Sequence, residues 1–109
     1  MEVLFEDAGL QKIAEDESKL KKKYGAQQAK IIQARLAILR AASNVEELKQ
    51  LPGRWHSLSS NWAGHWSGDL KHPERLIISA TPPPPLNEDG GVDWAKVTSV
   101  TVVGIENTH

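Results

Sequence analysis

Leu51-Pro52-Gly53-Arg54-Trp55-His56-Ser57-Leu58 divides the chain into two kinds of sequence. Pro52 and Gly53 are a turn signal, because a locked φ followed by a residue free to take positive φ lets the backbone reverse. Before them, apolar residues recur at helical spacing. After them, tryptophan, serine, glycine and β-branched residues come in short runs separated by turn residues. Helices first and strands second predict an α+β fold. In it a helical hairpin packs, with an N-terminal strand, on a mainly antiparallel twisted sheet of about four to five strands.

Moving toward the N-terminus, Ser43-Asn44-Val45-Glu46 fits a capping box, with Ser43 as cap and Glu46 reaching back, for a short helix through Lys49. Ala29, Ile32, Leu36 and Leu39 form one stripe, and Ile31, Ala34 and Ile38 widen it, so residues 26–42 are predicted as a well-buried helix. Gly25 is the stop before it. An earlier helix is predicted from the cap Asp7 to Gly25, with Leu10, Ile13, Leu20 and Tyr24 inward and Lys21-Lys22-Lys23 in its last turn, where the helix dipole favours cations. A short link makes these two helices antiparallel. Glu2 to Glu6 read as an opening strand.

Moving toward the C-terminus, strands are predicted near residues 54–58, 65–70, 75–80 and 98–106, with turns at 61–64 and 72–74. Between the last two strands, Pro82-Pro83-Pro84-Pro85 cannot donate to a sheet, so residues 81–91 are expected to leave it as an extended loop and return. A ligand for a proline-binding groove is conceivable for such a run. A stiff connector is the plainer reading, because Val92-Asp93-Trp94 and another strand follow at once.

The 109 residues suit one core, so a single domain over 1–109 is expected, helical to residue 53 and stranded from 54. With 39% hydrophobic and 25% charged residues the composition is that of a folded chain. No apolar run approaches the ~20 residues that span a bilayer, and Met1 to Asp7 lack the features of a secretory signal, so a cytoplasmic protein without membrane contact is expected. The chain has no cysteine, which excludes disulfide and thiolate chemistry and leaves four histidines for proton transfer near neutral pH. A net charge of −1 gives no overall attraction to a polyanion, so any RNA contact must be a local patch.

Within a strand over 54–58, Arg54, His56 and Leu58 would share one face and Trp55 and Ser57 the other. A guanidinium grips phosphate and a neighbouring imidazole moves a proton, the minimum equipment for cutting RNA without a metal. Alternatively, Arg-x-His is simply a half-exposed strand edge. Arg75 opens the apolar strand Leu76-Ile77-Ile78 as a second phosphate clamp or as its wet end. Candidate RNA contacts are Lys71 and His72 just before it, Trp66 as a stacking ring, and Lys21, Lys22 and Lys23, whose default role is solvated surface. Histidine spacing does not suit zinc, no glycine-rich phosphate loop or nucleophile elbow is present, and no metal or small-molecule cofactor is expected.

Together, Gly53-Arg54-Trp55-His56-Ser57-Leu58, Gly64-His65-Trp66-Ser67 and Arg75-Leu76-Ile77-Ile78 resemble the successive signatures of the RelE/ParE superfamily of bacterial toxins, in its HigB-like branch. The stretch Pro85 to Trp94 and the ending Ile105-Glu106-Asn107-Thr108-His109 are similar to members with a long insertion before the final strand. The resemblance implies a RelE-like fold and the toxin of a type II toxin–antitoxin pair. Its partner would be a HigA-like helix-turn-helix antitoxin, and its target messenger RNA in the A site of the 70S ribosome. It implies a metal-independent endoribonuclease in which His56 and His109 transfer protons while Arg54 and Arg75 bind or stabilise phosphate. Asn107 and Thr108 stand where the branch often has Asp and Tyr. The alternatives on the same fold are a ParE-like, non-enzymatic inhibitor of DNA gyrase and an inactive relative that only binds its antitoxin.

Overall fold

The computed structural model describes residues 1–107. Strand β1 (Glu2–Phe5) leads into helices α1 (Ala8–Ala14), α2 (Glu17–Tyr24) and α3 (Ala26–Ala41). A 3₁₀ turn at Glu46–Gln50 precedes β2 (His56–Ser57), β3 (His65–Asp69), β4 (Arg75–Ala80) and β5 (Ser99–Glu106). The five strands form one sheet in the order β1-β5-β4-β3-β2. Neighbours are antiparallel except β1, which runs parallel to β5 with Val3 opposite Val100. This is the α+β arrangement that the sequence predicts.

Side chains alternate along a strand, so the register sorts the sheet into two faces. Val100, Val102, Leu76, Ile78 and Trp66 face the helices and share one core with Leu20, Ile32, Leu36 and Leu39. The opposite face carries polar groups. At one end the Ser99 hydroxyl donates to Glu2 (2.9 Å) and lies 2.9 Å from that of Thr81, which in turn meets the Thr101 hydroxyl at 3.0 Å. At the other end lie His56, Asp69 and Arg75. The middle of this face is covered, since Ser67 and its cross-strand partner Ile77 are fully buried.

Three expectations need correction. The helix predicted from Asp7 to Gly25 is two helices. Asp7 caps α1 by accepting from the Gly9 N–H at 2.7 Å, but Asp16 starts α2 by accepting from the Lys19 N–H at 3.1 Å. A second cap inside the segment satisfies the N–H groups that a new helix leaves open, so the chain can stop after Ala14 and restart. The cap near residue 43 sits one residue later than expected. Asn44 accepts from the Glu47 N–H (2.9 Å) and Glu47 reaches back to the Ser43 N–H (3.1 Å), while Glu46 pairs with Lys49 at 2.7 Å. Third, β2 covers only His56–Ser57 instead of residues 54–58.

The proline-rich segment behaves as a connector. Its tip closes where the Asn87 N–H donates to the Gly91 carbonyl (2.7 Å) and Leu86 bridges Val92. Trp94 then returns to pack at 5.7 Å against Trp66. Among the described residues no helix is long and apolar enough to cross a membrane.

Candidate functional site

The site begins with a backbone constraint. Gly53 (φ 124°) and Arg54 (φ 52°) both take left-handed conformations, so the strand cannot start until the chain has passed them. Trp55 then drives its indole into the core, 3% exposed, with its Nε1–H donating to the Pro52 carbonyl at 3.0 Å. The ring lies flat on Gly68, where a Cβ atom would stand only 2.6 Å from it. Glycine at 68 is therefore what lets Trp55 anchor the turn, and the anchor leaves Arg54 and His56 projecting outward.

Arg54 and Arg75 converge on one carboxylate. Arg54 Nε is 3.6 Å from Asp69 Oδ2, and Arg75 Nε is 3.4 Å from Asp69 Oδ1. The backbone of Asp69 is held on both sides: its N–H donates to the Gly53 carbonyl (2.7 Å) and its carbonyl accepts from Arg35 Nε (2.7 Å). The acid thus ties the Gly53 turn, α3 and β3 together. Arg54 is 88% exposed and Arg75 only 19%, so one guanidinium meets Asp69 from solvent and the other from a largely buried position.

His56 pairs with Ser67, two residues before Asp69 on β3, which puts its Cα about 8 Å from that of Asp69 on the same sheet face. His56 Nδ1 lies 2.8 Å from the Arg54 carbonyl. A carbonyl only accepts, so Nδ1 must donate, and the neutral ring keeps Nε2 as a proton acceptor. An exposed imidazole with a fixed tautomer beside two guanidiniums can accept a proton from a hydroxyl held near a bound phosphate.

Next to this cluster, Asp69, Leu70, His72, Glu74 and Arg75 line a cavity of about 40 Å³. His72 and Glu74 also line a much larger open cleft, about 500 Å³, with Lys23, Tyr24, Lys71 and Ile105 among its walls. Gln28, only 7% exposed, fixes one wall, because its Oε1 accepts from the Lys71 N–H (2.8 Å) and its Nε2 donates to the Lys71 carbonyl (3.4 Å).

No protein-family model matches the chain, and no curated protein matches it in sequence. Solved structures do. A YoeB–YefM complex from Staphylococcus aureus aligns over 100% of this chain and 98% of that one, with a TM-score of 0.56 and 15% identity. A YoeB/ParE toxin from Agrobacterium tumefaciens aligns over 100% of both chains, at 0.55 and 11%. A YoeB dimer from S. aureus gives 0.52 and 13%, covering 100% of this chain and 98% of that chain. The chain has the fold of the YoeB-type toxins.

On this YoeB-type fold, the residues singled out in the sequence separate into groups. Arg54, His56 and Arg75 come together at one end of the helix-free face, though Arg54 gets there from a left-handed turn instead of by strand alternation. Lys71, His72 and Lys23 meet in the open cleft. Lys21 and Lys22 do not line it; both are exposed on α2, and Lys21 is paired with Glu17 at 2.8 Å. Trp66 is a correction. It is 2% exposed, between Trp94 and the Lys49 ammonium, which stands 5.5 Å from its ring, so no base can stack on it. His109 lies outside the described residues. Among the described residues, no cluster of three His, Asp or Glu side chains is placed to hold a metal ion.

Sequence reasoning missed Asp69 and Tyr24. Asp69 closes the strand Gly64-His65-Trp66-Ser67 and faces Arg75 across the ladder, so an acid placed just before the turn at 70–74 was the available signal. In the sequence Tyr24 shows only as a residue of the inward helix stripe.

Proposed function

We propose that this chain is the toxin of a toxin–antitoxin pair and that it cuts messenger RNA in the ribosomal A site. The observation carrying the reading is the meeting of Arg54 and Arg75 at Asp69, beside His56, on the helix-free face of a YoeB-type fold. In the proposed reaction, His56 Nε2 takes the proton of a ribose 2′-hydroxyl, whose oxygen bonds to the adjacent phosphorus. Arg54 and Arg75 leave Asp69 for the phosphate and stabilise the crowded phosphorane. The P–O5′ bond breaks, and the departing oxygen takes a proton from His109, the role the sequence resemblance gives that residue. The products are a 2′,3′-cyclic phosphate and a 5′-hydroxyl end. The ribosome would contribute by holding the message in register.

The partner in this reading is an antitoxin. YefM accompanies the S. aureus YoeB in its complex, and the sequence resemblance points to a HigA-like helix-turn-helix protein. A ParE-like inhibitor of DNA gyrase is the second reading, favoured by the A. tumefaciens neighbour described as a YoeB/ParE toxin.

Expressing the chain without an antitoxin and mapping RNA 5′ ends tests both. Codon-phased cuts with 5′-hydroxyl ends are expected, and His56→Ala should lower cleavage about a hundredfold. DNA breaks with intact messages would favour the gyrase reading. No growth effect and no cleavage would overturn both.

A further inference from the structure

We infer that the open cleft between the α2–α3 junction and the β3–β4 turn is a nucleotide-binding subsite. It would take the base and phosphate of the RNA residue next to the linkage held by Arg54 and Arg75, and it therefore rests on the nuclease reading. Its size suits one ligand unit, since about 500 Å³ falls within the usual ~300–1,000 Å³ of small-molecule pockets. Its walls combine the two things a nucleotide needs. Lys23 Nζ stands 5.5 Å from the centre of the Tyr24 ring, which brings a cation and an aromatic face together on one side. Lys71 supplies a second cation from the β3–β4 turn, and Pro73 and Ile105 add apolar surface.

Two further observations strengthen the assignment. The clamp of Gln28 on both backbone groups of Lys71 makes that wall rigid before any ligand arrives, which lowers the ordering cost of binding. His72 and Glu74 line both this cleft and the small cavity at Asp69 and Arg75, so the two spaces adjoin at these side chains. In this proposal a chain with its phosphate at the arginines would reach the cleft past His72 and Glu74. Among the described residues that line it, two lysines against the one carboxylate of Glu74 favour an anion. An acidic peptide would use the lysines but not the ring, and an RNA nucleotide uses both.

The test is titration of the isotope-labelled chain with uridine and adenosine monophosphates, inorganic phosphate, and a polyglutamate peptide, followed by amide chemical shifts. Both nucleotides should shift amides at 23–28 and 71–74. Lys71→Glu, at an exposed position, should weaken them about tenfold. Tyr24→Phe should bind as the parent does, and Tyr24→Leu several-fold more weakly. Inorganic phosphate binding as tightly as the nucleotides, polyglutamate displacing them, or indifference to Lys71→Glu would each overturn the subsite. The nuclease reading fails separately: a chain that binds nucleotides through Lys71 but cuts no message keeps the subsite and loses the enzyme. A chain that cuts but ignores Lys71→Glu does the reverse.

Discussion

In Asp69 the two arginines already have an anion, and an incoming phosphate must take its place. The carboxylate aims both guanidiniums at one point, but it also competes for them. Because Arg54 is largely exposed, solvent screens its share of the pair, and the competition is worth only on the order of 1 kcal/mol. Asp69→Asn should therefore bind a short RNA about fivefold more tightly at low salt, measured by fluorescence anisotropy, with the gain fading as salt rises. Weaker binding would mean that aiming matters more than competition. Gly68 answers to packing instead. Gly68→Ala forces a Cβ against the buried Trp55 ring and should cost about 1–3 kcal/mol. That corresponds to a melting point lower by ~4–8 °C for each kcal/mol in a domain near this size. A melting point unchanged within error would show that the ring moves aside without cost.

Among the elements, the first helical segment shows where sequence reading succeeds and where it stops. Leu10, Ile13, Leu20 and Tyr24 gave the correct inward face, because the core selects apolar residues wherever the helix breaks. The break itself was hidden, since Asp16-Glu17 also reads as an acidic stretch of a continuous helix; only the accepted Lys19 N–H identifies Asp16 as a cap. Asp16→Ala should remove about 1 kcal/mol of stability in urea denaturation and reduce helical circular dichroism. No change would mean that α1 and α2 need no cap between them. Strand β4 was legible in full, because Leu76-Ile77-Ile78 lies between polar ends. The short β2 was not, since nothing in the identity of Arg54 announces a positive φ. The site was legible in part for the same reason. Arg54, His56 and Arg75 carry recognisable chemistry, whereas Asp69 and Tyr24 matter only through cross-strand register and through a helix end meeting a distant turn.

For the whole molecule, sheet order ranks local stability. Strand β4 is hydrogen-bonded on both sides and carries buried Leu76, Ile77 and Ile78, while β2 is a two-residue edge. Amide hydrogen exchange should find the slowest amides in β4 and fast ones at His56, Ser57 and the tip of the proline loop. Slow exchange at β2 would mean that the site end of the sheet is held by more than its ladder. The placement of β5 has a temporal side. The strand lies between β1 and β4, so the first strand has no partner until the last has been synthesised. A growing chain can build its helical hairpin from neighbouring residues, but the sheet that presents Arg54, His56 and Arg75 closes through its most distant pairing. Under the toxin reading, a truncated product from an interrupted translation would be harmless to the cell that made it.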